Sequence, residues 1–150
     1  MKKQYFQLSR KYHPDFVSNG TDDEKEEALQ ISSLVNKAYK IFNNQDETIK
    51  YVLQLKELLA DEEKFVLPND FLMEMMDLNE QLMDAKTEDS KLLIDNCQLA
   101  IINYQLSIYE LVKEIIEGNI EPDITKEKLL QVKEYYFKKK YLNRILDSIK

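Results

Sequence analysis

The residues best placed to do chemistry are His13, Pro14 and Asp15, consecutive positions that set the chain's single histidine beside a carboxylate. An imidazole next to an aspartate is raw material for general acid–base catalysis. Catalysis needs more than that pair, however, and the sequence has no second histidine, no nucleophile elbow and no Gly-rich phosphate loop. One reading of the pair is a contact presented to a partner. Pro14 fixes its own φ and pushes His13 out of helical geometry, so one ionisable donor and one carboxylate are held at a rigid corner at low entropic cost. The plainer alternative is a helix stop whose flanking polar pair is incidental.

A second set lies between residues 69 and 86. At about 100° per residue, Phe71, Met75, Leu78 and Leu82 fall on one helical stripe. Leu72, Met76 and Met83 fall on another, roughly 100° or more away, with Met73 at its edge. One stripe suffices to bury the helix. The other is additional core, a contact to the N-terminal part, or an exposed partner surface, for which adaptable Met side chains are suited. Phe137 poses the same question in the last helix. There Val132, Tyr135, Leu142, Ile145, Leu146 and Ile149 form a core-like stripe, and Leu130, Phe137 and Tyr141 lie near the opposite side. Phe137 is either a binding aromatic or part of a wide packed interface.

The elements that position these residues are helical. With 2 Gly and 3 Pro in 150 residues there is little material for tight turns, and Leu, Ile, Lys, Glu and Gln abound. Tyr5, Leu8 and Tyr12 mark a short helix over residues 1–12, which Pro14 ends. Asn19-Gly20 marks a turn, and Thr21 with Asp22, Asp23 and Glu24 predicts the start of a helix carrying Ile31, Leu34, Val35, Ala38 and Phe42 on one face. Asn43 to Asp46 interrupts it, and Tyr51, Val52, Leu55, Leu58 and Leu59 predict a further short helix. Pro68-Asn69-Asp70 starts the first of three more segments, roughly 69–86, 88–117 and 125–149, separated at Lys86-Thr87 and at Gly118-Asn119 with Pro122. The middle one carries Leu93, Cys97, Ile101, Tyr104, Ile108, Leu111 and Ile115 on a broad apolar face. Three helices with short connections fold most simply as an antiparallel bundle.

Cys97 lies inside that face, so it is expected to be a buried core thiol. As the only cysteine it offers neither a disulfide nor a structural zinc site, and no metal or cofactor is expected. A reducing compartment follows. No apolar run of membrane length and no signal-like N-terminus occurs, so a cytoplasmic protein without a membrane partner is expected. The net charge of -7 argues against nucleic acid as a partner. Charge is uneven: residues 1–20 hold Lys2, Lys3, Arg10 and Lys11 against Asp15, whereas residues 71–90 hold 6 acidic groups against Lys86. Two surfaces with different partners are the natural reading.

The run R-K-Y-H-P-D-F and the later V-N-K-A-Y-K-I-F resemble the second helix, loop and third helix of a J-domain. F-L-M-E-M-M-D-L-N-E-Q-L at Phe71 to Leu82 resembles the signature helix of HscB-type co-chaperones of iron-sulfur cluster assembly. The resemblance spans nearly the whole chain. It implies an all-α fold: a truncated J-domain hairpin with a linker helix over residues 1–60, its first helix missing, a linker at 61–68, and an antiparallel three-helix bundle over 69–150. It also implies a non-enzymatic co-chaperone. His13, Pro14 and Asp15 would make the essential contact with a DnaK/HscA-type chaperone ATPase, and Lys2, Lys3, Arg10 and Lys11 would steer and dock it. Leu72, Met73, Met76, Asp77, Glu80 and Phe137 would bind an IscU-type iron-sulfur scaffold protein. The sequence departs from the pattern at Phe16, where a basic residue usually follows the aspartate, at residues 44–48, which replace an expected Pro and Arg, and at Asn79. No cysteine-rich N-terminal element of the eukaryotic kind is present, which points to a bacterial cytoplasmic form. The rivals are a J-domain co-chaperone for another client, and a helical scaffold or oligomerisation module that would form a homodimer and be indifferent to His13→Gln. A nucleic-acid binder using Lys138, Lys139 and Lys140 ranks last.

Overall fold

The structure, a computed structural model, describes residues 1–118 and 124–150. Among these the order is α1 (Lys2–Lys11), a one-turn 3-10 helix (Pro14–Phe16), α2 (Asp22–Phe42), α3 (Gln45–Leu55), α4 (Asn69–Thr87), α5 (Lys91–Glu117) and α6 (Lys126–Ile149), with no strand. The fold is all-α, as the composition and periodicity require. Two compact units make up the chain, Met1–Tyr51 and Val52–Lys150.

In the first unit α1 and α2 form a hairpin. Tyr5 stacks on Tyr39 with ring centroids 4.0 Å apart, and its hydroxyl donates to Asn36 Oδ1 at 3.0 Å. The start of α2 is closed by a capping box: Thr21 Oγ1 accepts from the Glu24 amide, and Glu24 Oε2 accepts from the Thr21 amide at 2.9 Å. A Cβ at Gly20 would come within 2.6 Å of Glu24 Oε2 and would push that flexible carboxylate from its capping position. Thr21→Ala is expected to lower stability by about 1 kcal/mol, read as a lower urea midpoint at unchanged slope. Leu34 and Phe42, expected on the inner face of α2, are exposed. Their face outruns its cover, since α1 has 10 residues against 21 in α2, about 15 Å against about 31 Å. Asn44 Oδ1 accepts from the Asp46 and Glu47 amides and so starts α3.

In the second unit α4, α5 and α6 pack as an antiparallel bundle. Phe71 of α4 sits against Tyr104 of α5 and Tyr141 of α6, with centroids 5.8 and 5.7 Å away. Gln105 donates to Asn143 Oδ1 at 2.7 Å, and Tyr109 packs on Tyr135, so α5 and α6 run in opposite directions. The Lys86 ammonium donates to the Ser148 carbonyl, tying the ends of α4 and α6. Phe71, Met75 and Leu82 are buried, as the α4 periodicity predicts, and so is Cys97.

Three expectations need correction. Leu93 and Leu111 are exposed, and Val112 is buried instead, because the inner sector of α5 is centred toward Ile101 and Val112 while both leucines lie on its opposite edge. Tyr141 is not opposite the core of α6 but packs edge-on against Phe71. The helix expected from residue 88 begins at Lys91, because Asp89 takes a left-handed φ of 52° and the Ser90 amide returns to the Ala85 carbonyl, a Schellman-type stop. Of the second expected break, Gly118 is described, whereas Asn119 and Pro122 lie outside the described residues.

Candidate functional site

The His13-Pro14-Asp15 corner forms as its residue types dictate. His13 is extended, at φ −64° and ψ 134°, and Pro14 opens the 3-10 turn at its first position, where a missing amide hydrogen costs nothing. His13 Nδ1 lies 3.3 Å from the Asp15 amide and 3.5 Å from Asp15 Oδ2. One nitrogen cannot accept from the first and donate to the second. In the neutral ring it caps the turn by accepting the amide, which leaves the proton on Nε2 for an approaching acceptor. Phe16 packs against the imidazole edge-on, with centroids 6.2 Å apart. His13, Pro14 and Asp15 are all exposed.

All four basic residues of α1 are exposed as well. Arg10 and Lys11 stand in its last turn, where the helix dipole favours cations, directly before the corner. Lys3 and Arg10 are seven residues apart and so share a stripe to within about 20°, opposite the side on which Tyr5 meets α2. Lys2 stands nearly a helix length from the corner, about 12 Å from Arg10 along the axis.

On α4 the second stripe stays outside the core. Met73 and Met76 are 65% and 70% exposed, Met83 is exposed, and Leu72 is half-buried. Asp77 and Glu80 are exposed on the same helix, giving an apolar strip with an acidic margin. Phe137 is half-buried for a reason the periodicity of α6 does not reveal. The segment before α4 lies along α6, where the Lys133 ammonium meets Glu63 Oε1 at 2.9 Å and Phe65 stacks on Phe137 at 4.7 Å with 6° between the rings. Lys133 is 8% exposed, the one buried charged residue among those described, and its ammonium also sits 5.5 Å from the Phe65 ring centroid. Sequence reading missed Glu63, Phe65 and Lys133, since nothing local links residues 70 positions apart.

Electrostatics inside the bundle centre on Tyr104. Its pKa is raised above the ordinary 10.0, first by burial of the phenolate, then by the charge of Glu74 and the hydrogen bond to it, and last by the charge of Glu134. With the folded pKa raised, the stabilising contribution is complete below about pH 10 and is lost as pH rises through the folded value. Glu74→Gln is expected to bring Tyr104 ionisation back toward its ordinary range, followed as tyrosinate absorbance against a Tyr104→Phe control. Among the described residues, no three His, Cys, Asp or Glu side chains are grouped so as to hold a metal. No helix of the described residues is long and apolar enough to cross a membrane.

Comparison with known proteins agrees with this architecture. The family profile of the HSCB C-terminal oligomerisation domain matches residues 67–150. Co-chaperone protein HscB of Proteus mirabilis is 30% identical over 118 residues, which are 77% of this chain and 68% of that protein. Iron-sulfur cluster co-chaperone protein HscB of Homo sapiens is 27% identical across 100% of this chain, which spans 60% of that protein's length. The solved structure of chaperone HscB from Vibrio cholerae matches 99% of this chain and 88% of its own at a TM-score of 0.59 and 18% identity, a likeness of fold. The Proteus mirabilis and Homo sapiens proteins are named co-chaperones. This chain belongs to their family, HscB.

Proposed function

We propose that this chain is a cytoplasmic co-chaperone that binds an IscU-type iron-sulfur scaffold protein and delivers it to a DnaK/HscA-type chaperone, promoting ATP hydrolysis during cluster assembly or transfer. In this reading residues 1–60 act as the J-type part, 61–68 as the linker and 69–150 as the scaffold-binding bundle. Neither part breaks a bond. The bundle holds the scaffold through Leu72, Met73, Met76 and Phe137, with Asp77 and Glu80 at its margin. The corner at His13, Pro14 and Asp15 engages the chaperone, steered by Lys2, Lys3, Arg10 and Lys11. Holding both partners on one chain raises the effective concentration of one for the other. The lone buried Cys97 fits a reducing compartment.

The observation that carries this reading is the split face of α4. Phe71, Met75 and Leu82 fill the core, while Met73 and Met76 stand in solvent beside Asp77 and Glu80. Exposed methionines on a rigid helix offer apolar area that adapts to a partner. Titration calorimetry of the scaffold protein into this chain tests the reading. Saturable binding with a negative heat-capacity change, the mark of apolar burial, is expected; a flat isotherm at every temperature would reject it.

A further inference from the structure

The segment between α3 and α4 is fixed rather than loose. Lys133 reaches Glu63 from a buried position at 2.9 Å, and loss of Glu63 would leave that buried ammonium without its ion-pair partner. Two residues on, Phe65 lies almost parallel to Phe137 at 4.7 Å, an offset stack, under the charge of the same Lys133. One face of Phe137 is thereby covered, and Tyr136 stands edge-on to that ring at 5.4 Å. Phe65 itself is half-exposed, Val66 beside it is exposed, and the segment then enters α4 one turn before Leu72 and Met73.

We infer that Phe65 is itself a scaffold-contacting residue, stacked on the contact residue Phe137, which also holds it in place, with the Glu63–Lys133 pair locking the segment. This rests on the scaffold-binding reading above and adds to it a residue on another element. A partner presenting apolar side chains to this surface meets Phe65 before it can meet the covered face of Phe137. A ring already immobilised by stacking and by a neighbouring ion pair loses little further freedom on binding, which is the property of an anchor.

The test is titration of the IscU-type scaffold into four variants of the full chain, with melting followed alongside. Phe65→Ala is expected to weaken binding about fivefold or more with little change in melting. Phe137→Ala is expected to weaken it comparably, and the double variant no more than the stronger single, because the two rings act as one unit. Unchanged or tighter binding by Phe65→Ala would overturn the inference, tighter binding meaning that the segment merely covers Phe137. Met76→Glu separates the two levels of the argument: if it leaves affinity intact, the scaffold-binding reading falls and this inference with it. If Met76→Glu weakens binding and Phe65→Ala does not, only the inference falls. Ring resonances of Phe65 in the unaltered protein give a readout free of folding effects. They should shift when scaffold is added, and their constancy would also overturn the role.

Discussion

Replacing Met73 and Met76 together by alanine is expected to weaken scaffold binding by about 2 kcal/mol or more, some thirtyfold, while the melting temperature stays where it was. Both side chains stand in solvent, 65% and 70% exposed, so their loss opens no cavity in the bundle. The same truncation at Met75, one position before Met76 on the buried stripe, would instead cost stability. That contrast between adjacent methionines separates recognition from folding. Affinity within twofold of the unaltered chain, at unchanged stability, would remove α4 from the interface.

His13→Gln is expected to abolish stimulation of the chaperone's ATP hydrolysis and to leave scaffold affinity untouched. The imidazole is exposed and caps only a one-turn helix through a 3.3 Å contact, so the change costs little folding energy. Its effect is confined to what the corner shows to a partner: an exposed imidazole whose Nδ1 lies 3.5 Å from Asp15 Oδ2, at a turn set by the fixed φ of Pro14. A helical scaffold or oligomerisation module, by contrast, would be indifferent to the substitution. Retention of full stimulation by His13→Gln would sever the corner from the chaperone.

Local signals in the sequence were read correctly where the physics is local. Pro14 ends α1, Thr21 and Glu24 close α2 in a capping box, and the i, i+4, i+7, i+11 spacing of Phe71, Met75, Leu78 and Leu82 picks the inner face of α4. Signals that depend on distant partners were not legible. The segment through Glu63 and Phe65 reads as a charged linker, and only the fold brings Lys133 and Phe137 beneath it. Turn chemistry was hidden for another reason: among the described residues the left-handed positions are Glu57, Glu62 and Asp89 rather than glycine, so no glycine marks them. The buried stripe of α5 is narrower than its apolar spacing implies, because a residue some 60° from the centre of a helical face, such as Leu111, is exposed or buried according to how closely the neighbouring helices approach.

The candidate site was legible to differing depth. The corner and the exposed α4 methionines were visible as residues without a core role, and the structure sets them at exposed positions. Phe137 was visible as an aromatic outside the core stripe, yet its ring is shared with Phe65.

The central claim is that one chain couples a client to an ATPase. Steady-state ATP hydrolysis by a DnaK/HscA-type chaperone measures it, with this protein and an IscU-type scaffold added singly and together. The account predicts stimulation by the pair that exceeds the sum of the two alone. Rates that merely add, with both proteins shown to bind, would contradict it.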